Sequence, residues 1–566
     1  MSGWRAGAAG LSSAGLLALG LAALPATNAG LAGAAGDPAT TAVQPLTGDA
    51  ARGQRLYQQG LQADGQPLRA RREGVGPLPA SGVACVHCHR PSTMGGSEGG
   101  LLAPPLLGSL LFAAAQPAVR PRVGPGVVHQ GLRYQSRSAY TEPLLQRALA
   151  DGLDPDGVAL DVAMPRYALD AQAVADLAAY LRQRAQAQPP GLVGNTLHLA
   201  SVFTPQAPAL RRETVAAAMS AWARQTRLGP WSLQWHAWSL KGSPAGWPAQ
   251  LQALAARQPV YGLLSGAGGA DWTPVQAWCE QQALPCLFPV IDRLPAAASR
   301  QYSAYLSAGL DGDVGLAAAF LRQASPATLR VLLLAQGDLG QQAAAALRQR
   351  LASSRFSAPS VRAWPALGGL GGLRLSARDV LVIWAPAAAV QALFDASPAV
   401  PTTTNGAAAL PGGSSVPAGP LLLLSAEMAP PRQLRVPAAW RSRVRWVSMR
   451  SDPVRQDAAA ALSQGPWAQA LGLAVANADP AALADVHAAT FYFADALSRM
   501  RGSLSADHLL EKLEAAVDQR PAGAGYFRLS LGPGQRIATQ GGHVLAFQPA
   551  GLAFPAPSGP FLLGLE

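Results

Sequence analysis

Short hydrophobic runs alternate with helical patterns along most of the chain, from residue 196 onward. The runs carry no regular polar positions, which predicts strands buried on both faces and therefore parallel sheets covered by helices. A region of more than 300 residues is large for one such sheet, so two lobes are expected. The predicted strands are Leu197–Phe203, Leu233–Trp238, Val260–Leu264, Cys286–Val290, Leu329–Ala335, Val380–Trp384, Leu421–Ser425 and Val444–Val447.

The preceding part of the chain has a different pattern and predicts a helical domain over residues 48–187. An amphipathic helix opens at Gly53, with Leu56 and Tyr57 on its apolar side, and a second helix covers about residues 171–184. The sequence between the two regions contains a Pro-Pro-Gly run, which is typical of a linker. We therefore place a linker at residues 188–195 and a second domain at 196–553, with a disordered-looking insert at 401–419.

Residues 1–29 have the features of a secretory signal peptide. Arg5 precedes a stretch of Ala, Gly, Leu and Ser, and small residues offer cleavage after Ala29 or Ala34. An uncleaved membrane anchor is the alternative, because the apolar stretch is close to the ~20 residues that span a bilayer. Residues 30–47 would then be a flexible lead. We expect an exported, periplasmic protein with no membrane span in its mature chain.

Composition excludes several classes of protein. The chain of 566 residues is 49% hydrophobic and 13% charged, which excludes general disorder and collagen-like structure. Its formal net charge of +12 comes almost entirely from arginine, since Lys241 and Lys512 are the only lysines. These arginines are scattered along the chain rather than bunched in one segment. Nucleic acid is therefore not an expected partner.

The sharpest motif is Cys-Val-His-Cys-His at residues 85–89. Two thiols at this spacing can each add to a vinyl group of haem, and the histidine that follows can ligate the iron. A redox disulfide or a zinc half-site is the alternative, but zinc needs two further ligands and the other cysteines lie far along the chain. The motif predicts one covalent haem c held by Cys85, Cys88 and His89. The carbonyl of Pro104 or Pro105 is expected to accept a hydrogen bond from the histidine ring.

The second axial ligand of the iron is expected downstream. Met164 follows the turn sequence Asp-Pro-Asp-Gly at residues 154–157, and its thioether is a soft axial ligand. Met94 and His129 are the rival ligands. Met94 lies only five residues after His89, which leaves too little chain to reach the opposite face of a haem.

On these motifs, residues 48–184 resemble a class I cytochrome c. The matching parts are the Cys-x-x-Cys-His motif, the helix that opens at Gly53, the Met164-Pro165 pair and the helix that contains Tyr180. The resemblance implies an all-α fold, His/Met coordination and electron transfer rather than catalysis. It also implies periplasmic redox partners, with a dehydrogenase as donor and a cytochrome or oxidase as acceptor. A Gly/Pro/Arg-rich loop at residues 116–138 departs from the family pattern.

The second region resembles the periplasmic ligand-binding proteins that serve branched-chain amino acid and amide uptake. The resemblance rests on strand order and on segments such as Val260–Gly266 and Gly312–Ala317. It implies two α/β lobes with a small organic ligand between them, contacted by Ser265, Gly266 and Thr273. The Gly-rich run that begins at Ser265 can present backbone N–H groups to a carboxylate, or it can be a tight turn.

We expect structural roles for the remaining cysteines and histidines. Cys279 and Cys286 flank Pro285 in an exported protein, which favours a disulfide over two buried free thiols. Five histidines of the second region have no partner nearby in sequence and are expected in core or surface positions. They are His198, His236, His487, His508 and His543.

Two functions follow from this organisation. The main expectation is a periplasmic electron carrier with a covalent haem, whose second domain senses a ligand or docks a partner. The alternative is a solute-binding protein of the amino acid or amide type with an auxiliary haem domain. Direct catalysis is not expected.

Overall fold

A computed structural model describes most of the chain from residue 47 to residue 562. The described residues are 47–98, 101–115, 136–295, 300–323, 330–352, 359–364, 369–373, 375–376, 378–399, 420–451, 453–516, 525–526, 529–539, 541–547 and 556–562. Residues 47–566 belong to one compact unit. The predicted signal peptide, nearly all of the lead, the loop with His129 and the insert at 401–419 lie outside the described residues.

The helical region packs around the crossing of its first and last long helices. Asp49 caps the first helix by accepting from the backbone N–H groups of Ala51 and Arg52, and Gly60 ends it in the left-handed conformation. Gly53 lets the two helices approach, because a Cβ there would lie 2.0 Å from the Asp176 carbonyl oxygen. The helices are α1 (Ala50–Gln59), α2 (Val86–His89), α3 (Gly108–Leu111), α4 (Glu142–Asp151) and α5 (Ala171–Gln186).

The expectation of an all-α region is corrected by short antiparallel strands between these helices. Arg-, Gly- and Pro-containing segments there lack a helical hydrophobic pattern, and pairing with a neighbour satisfies their backbone groups. Two small sheets result, with orders β2-β1-β5 and β3-β4. The strands are β1 (Ala70–Arg72), β2 (Gly76–Pro77), β3 (Gly96–Glu98), β4 (Leu101–Ala103) and β5 (Arg166–Tyr167).

The first α/β lobe is built on a mainly parallel sheet. The described strands run in the order β12-β11-β10-β7-β9-β8, and β6 also pairs with β7. Helices α6 to α8 cover the two faces of this sheet, as its continuous apolar strands require. The strands are β6 (Leu192–Val193), β7 (Thr196–Phe203), β8 (Arg227–Leu228), β9 (Trp231–Ser239), β10 (Gly262–Ala267), β11 (Cys286–Leu287) and β12 (Ser303–Ala304); the helices are α6 (Ala209–Gln225), α7 (Trp247–Arg257) and α8 (Thr273–Gln281).

The second lobe has its own sheet, in the order β14-β13-β15-β16-β17-β18-β19. Its strands from β14 to β17 are parallel, and the last two are antiparallel. The strands are β13 (Arg330–Ala335), β14 (Ser360–Arg362), β15 (Asp379–Trp384), β16 (Leu421–Ser425), β17 (Val444–Ser448), β18 (Gly541–Ala546) and β19 (Ala556–Leu562). The helices of this lobe are α9 (Leu310–Gln323), α10 (Gly337–Ala352) and α11 (Ala387–Asp395).

Four further helices lie between β17 and β18 in sequence. They are α12 (Pro453–Ala459), α13 (Gly465–Ala470), α14 (Pro480–Arg499) and α15 (Ala506–Glu514). The side chains of α14 and α15 belong to the core of the first lobe, together with those of α6. The chain therefore leaves the first lobe after β12, returns to it after β17 and leaves it again before β18.

These crossings are held together by backbone hydrogen bonds. The N–H of Tyr305 donates to the Arg536 carbonyl at 2.8 Å, and the N–H of Ala538 donates to the Tyr305 carbonyl at 2.8 Å. At the remaining crossing, the N–H of Ser451 donates to the Gly525 carbonyl at 2.5 Å. A two-lobed α/β fold, expected from the sequence, is therefore present.

The helical region contacts the first lobe through α15. Glu511 accepts from the N–H of Ser92 at 2.8 Å and from the Ser92 hydroxyl at 2.5 Å. Arg184 at the end of α5 pairs with Asp507 at 2.8 Å. Burial raises the pKa of Glu511 to about 7, although both bonds from Ser92 act to lower it. The contact is polar, whereas each region has its own hydrophobic core.

Among the described residues, no helix is both long enough and apolar enough to cross a membrane.

Replacing Gly53 tests the close crossing of α1 and α5. Gly53→Ala is expected to lower the free energy of unfolding by ~1–3 kcal/mol, because the added methyl group overlaps the Asp176 carbonyl. Chemical denaturation followed by circular dichroism measures the change. Gly82→Ala is the control, since its Cβ would meet nothing closer than 3.8 Å. Equal stability of the two variants would contradict the packing described.

Candidate functional site

A cleft between the two lobes collects charged side chains at the ends of several elements. It encloses ≈ 440 Å³ of space, open solvent included. The first lobe contributes Arg211 and Asp479, which lie near the N-terminal ends of α6 and α14. The second lobe contributes Glu427, which follows β16. Loops at the carboxyl ends of parallel strands are where open α/β sheets bind ligands, so this cleft is the candidate site.

A buried ion pair closes one side of the cleft. Arg450 donates to both carboxylate oxygens of Asp485, at 3.0 and 2.8 Å. The Tyr526 hydroxyl donates to the same carboxylate at 2.8 Å, and the Arg450 guanidinium lies 4.6 Å from the centre of the Tyr526 ring. Burial acts to lower the pKa of Arg450, but the negative charge of Asp485 acts more strongly in the opposite direction. The pKa of Arg450 is therefore held well above its usual range. The guanidinium is therefore fixed and charged.

A second arginine of the cleft is also paired. Arg211 donates to Asp292 at 2.7 Å and to the Gly268 carbonyl at 3.3 Å. Burial again opposes its charge, and Asp292 raises the pKa of Arg211 overall. Asp479 uses its carboxylate to cap α14, accepting from Ala481 at 3.0 Å. Arg211, Arg450, Asp479 and Asp485, all of which line the cleft, therefore already have protein partners.

Glu427 differs from its neighbours in the cleft. Within the described part of the chain, its carboxylate makes neither a hydrogen bond nor an ion pair. Burial raises the pKa of Glu427, while the positive charges of Arg450 and Arg211 act to lower it. A half-buried carboxylate without a partner is costly unless a ligand supplies one.

A second buried carboxylate fixes the loop that carries Glu427. Asp313, in the first turn of α9, accepts from the Ser425 hydroxyl at 2.7 Å and from the N–H of Glu427 at 3.1 Å. The Ser425 hydroxyl in turn accepts from the N–H of Met428 at 3.2 Å. Burial raises the pKa of Asp313 to about 7, and the bond from Ser425 opposes that rise. The backbone around Glu427 is therefore held in one conformation.

The residues predicted as ligand contacts lie elsewhere in the first lobe. Ser265 and Gly266 lie near the end of β10 at positive φ angles of 58° and 115°, and a Cβ at Gly266 would lie 2.6 Å from the Val202 carbonyl oxygen. Ser265 is buried and its hydroxyl has no hydrogen-bond partner among the described residues. Thr273 is exposed at the start of α8. None of the three is among the residues that line the cleft, and their expected roles stay predictions.

Two cysteines of the first lobe form a disulfide. Cys279 in α8 is bonded to Cys286 at the start of β11, with 6.2 Å between their Cα atoms. Both residues are buried in the core on one face of the sheet. The bond ties α8 to the strand that follows it.

The Cys-x-x-Cys-His motif lies on and just before the single turn of α2. Cys85 is buried and Cys88 is exposed, and no disulfide joins them. Burial raises the pKa of the Cys85 thiol to about 12, so it is neutral at physiological pH. His89 is buried, and its Nδ1 lies 2.9 Å from the Pro104 carbonyl oxygen, the contact expected from the sequence. Burial lowers the pKa of His89, against the effect of that hydrogen bond.

The methionines weighed as ligands make packing contacts. Met164 is partly buried against the hydrophobic core of the helical region. Met94 lies beside the first lobe, because a Cβ at Gly502 would be 3.4 Å from its terminal methyl carbon. The individual roles predicted for Cys85, Cys88, His89 and Met164 are tested by none of these contacts.

The comparisons with known proteins found similar folds but no family. No protein-family description and no curated protein matches the chain. A solute-binding protein of an ABC transporter from Rhodopseudomonas palustris, in complex with 3,4-dihydroxybenzoic acid, is 12% identical, with a TM-score of 0.46 over 65% of this chain and 98% of that one. A branched-chain amino acid ABC transporter structure from Thermus thermophilus with bound valine is 10% identical, with a TM-score of 0.45 over 66% and 97%. A possible leucine/isoleucine/valine-binding protein from Rhodopirellula baltica is 13% identical, with a TM-score of 0.42 over 65% and 98%. Similarity at this level does not assign a function to this chain.

The main functional expectation from the sequence is corrected by these findings. None of the three similar structures reported above is described as a haem protein. In the parts of the chain that the structure describes, no group of three or more His, Cys, Asp or Glu side chains could hold a metal ion. The predicted haem c, the electron transfer and its redox partners are therefore not supported.

Sequence reasoning missed the charged residues of the cleft, although a signal for some of them was present. Glu427 comes two residues after the predicted strand that ends at Ser425, and Arg450 follows the predicted strand that ends at Val447. Ligands usually bind at the carboxyl ends of parallel strands. Polar residues that follow predicted strands are therefore better candidates for ligand contacts than glycine-rich turns. Asp485 gave no such signal, because it is an interior position of a long helix.

Breaking the buried pair of the cleft tests its energetic role. Arg450→Met is expected to lower the free energy of unfolding by about 3 kcal/mol, because Asp485 stays buried without its cation. Arg182→Met is the matched control. Its ion pair with Glu142 is exposed, with 45% and 33% of the two side chains accessible, and is worth less than about 1 kcal/mol. Urea denaturation of both variants measures the difference, and equal losses would refute a special role for the buried pair.

Proposed function

We propose that the cleft between the two lobes binds a small organic solute that carries a positively charged amine. Glu427 is the observation that carries this proposal. Its carboxylate lies in the cleft, half-buried and without a protein partner among the described residues. An ammonium group can supply the charge-assisted hydrogen bonds that the carboxylate lacks.

The charge balance of the cleft favours a cation over an anion. Both guanidinium groups are already neutralised, Arg450 by Asp485 and Arg211 by Asp292. Glu427 is left as an uncompensated negative charge whenever it is ionised. An anionic ligand would have to compete for arginines that are held by buried carboxylates, whereas a cationic ligand meets an available partner.

A fold of two lobes is suited to reversible binding of a ligand between them. The lobes are joined by crossing segments, and domains joined in this way can close on a ligand by a hinge motion. We propose accordingly that the chain acts as a periplasmic solute-binding protein of the amino acid or amide type, with a membrane transporter as its partner. In this proposal the protein binds its ligand and does not convert it.

Titration calorimetry with a panel of amines tests the proposal. The panel contains leucine, valine and ethanolamine, each paired with its N-acetylated counterpart, which lacks the positive charge. At least one free amine is expected to bind, and its acetylated counterpart is expected to bind at least about tenfold more weakly. Preference for the acetylated compounds, or binding by none of the panel, would count against the proposal.

Removing the negative charge at residue 427 should have the same effect as removing the charge of the ligand. Glu427→Gln is expected to weaken binding of the free amine by about tenfold or more, since a charged hydrogen bond is worth ~1.5–3 kcal/mol. Glu213→Gln is the control, because Glu213 is exposed on α6 and does not line the cleft. Unchanged affinity in the Glu427 variant would exclude this residue as the amine contact.

Binding should also depend on pH in a predictable direction. Because burial raises the pKa of Glu427, the free protein protonates this group at a higher pH than an exposed glutamate. The amine binds the ionised form, so affinity is full above the raised pKa and falls as the pH decreases through it. Calorimetry from about pH 4, near the ordinary pKa of an exposed glutamate, up to about pH 8 measures this loss. The Glu427→Gln variant should show a flat profile over that range, and a parallel loss in the variant would contradict the assignment.

A further inference from the structure

Two histidines that are far apart in sequence meet on the sheet of the first lobe. His198 is the third residue of β7, and His236 lies on the adjacent strand β9. In the parallel register, His236 is the Cα partner of Ala200, so the two histidines share one face of the sheet. Both side chains are half-buried and reach solvent.

The two imidazole rings face each other through nitrogen atoms. Nδ1 of His198 lies 3.0 Å from Nε2 of His236. The rings are inclined by 19°, with centroids 5.2 Å apart. In the described residues, neither ring makes another side-chain hydrogen bond or an ion pair with a carboxylate. No acidic group therefore explains why two imidazoles are held together here.

We propose that His198 and His236 form a binding site for a divalent transition-metal cation such as Cu²⁺, Ni²⁺ or Zn²⁺. Neutral imidazole is a preferred ligand for these ions. Burial lowers the pKa of His236, and the neighbouring His198 lowers it further, so this ring is neutral at pH 7. The site is separate from the cleft, because neither histidine lines it.

The separation of the two nitrogens suits one shared metal ion. With metal–nitrogen bonds of ~2.0–2.1 Å, two ligands on one ion lie ~2.9 Å apart at a right angle and ~3.3 Å apart at a tetrahedral angle. The observed 3.0 Å falls between these values. Once the shared proton has left the facing nitrogens, small rotations of the rings direct both lone pairs toward a common point.

Metal binding requires the proton of the hydrogen bond between the two histidines to leave the facing nitrogens. One of the two facing nitrogens carries this proton in the hydrogen bond. That ring becomes a metal ligand by changing tautomer, so that the proton moves to its other ring nitrogen and the facing nitrogen is left with a free lone pair. The proton stays on the ring that holds it, so the exchange is balanced without an added acid or base. Water supplies the remaining positions of the ion, because the described residues offer no third His, Cys, Asp or Glu ligand. Affinity is therefore expected to be lower than at a closed four-ligand site.

Titration of the full chain with NiCl₂ tests the proposal. Protein prepared without a polyhistidine tag is used, and calorimetry at pH 7.5 measures affinity and stoichiometry. We expect one ion per chain, with affinity lowered about tenfold or more in both His198→Gln and His236→Gln. His87→Gln is the matched control, since His87 is exposed and lies in the Cys-x-x-Cys-His motif. Circular dichroism without metal checks that each variant is folded.

Electron paramagnetic resonance with one equivalent of Cu²⁺ provides an independent readout. Coupling of the copper to two imidazole nitrogens is expected in the unaltered chain and to only one in each His198 or His236 variant. Loss of binding in His87→Gln alone would place the ion at the Cys-x-x-Cys-His motif and overturn the proposal. Absence of binding in the unaltered chain, or unchanged binding in both variants, would overturn it as well.

Discussion

The ion pair between Arg450 and Asp485 is the interaction on which the arrangement of the two lobes depends. Arg450 follows the last parallel strand of the second lobe, and Asp485 belongs to a helix packed in the core of the first. Two bonds between them, with a third from Tyr526 to Asp485, hold both groups in a largely buried position. A buried pair of this kind is weak evidence of net stability, but it permits only a narrow range of geometries. It therefore sets how the strand ends of the second lobe face α14 of the first lobe.

The chemistry of the cleft follows from that constraint. Because Arg450 and Arg211 already have carboxylate partners, the positive charges of the cleft are structural. Glu427 is held in place through its backbone by Asp313, while its own carboxylate points to no protein partner in the described chain. The two arginines therefore hold the cleft together, whereas the charge of Glu427 is available to a ligand. This difference in role divides the charged groups of the cleft into two kinds. This division, rather than similarity to other folds, is what gives the cleft its expected preference for a cation.

The sequence predicted regular elements well and side-chain constellations less well. The strand Leu421–Ser425 was located to the residue, because a continuous apolar run bounded by polar residues has few other interpretations. The all-α expectation for the first region was wrong, since its short strands depend on pairing between distant segments rather than on local pattern.

The pairing of Arg450 with Asp485 spans two lobes, and the meeting of His198 with His236 depends on the strand register. Neither contact can be read from spacing along the chain. The Cys-x-x-Cys-His motif shows the opposite problem, because a strong local pattern carried an expectation of haem that the comparisons do not support.

The most direct test of the account is the crystal structure of the full chain with the tightest-binding amine from the panel. The account predicts the ligand between the two lobes, with its ammonium nitrogen at ~2.7–2.9 Å from a carboxylate oxygen of Glu427. It also predicts that the bonds between Arg450 and Asp485 persist in the complex. A ligand bound outside the cleft, or one that displaces Asp485 and turns an anionic group toward Arg450, would contradict it.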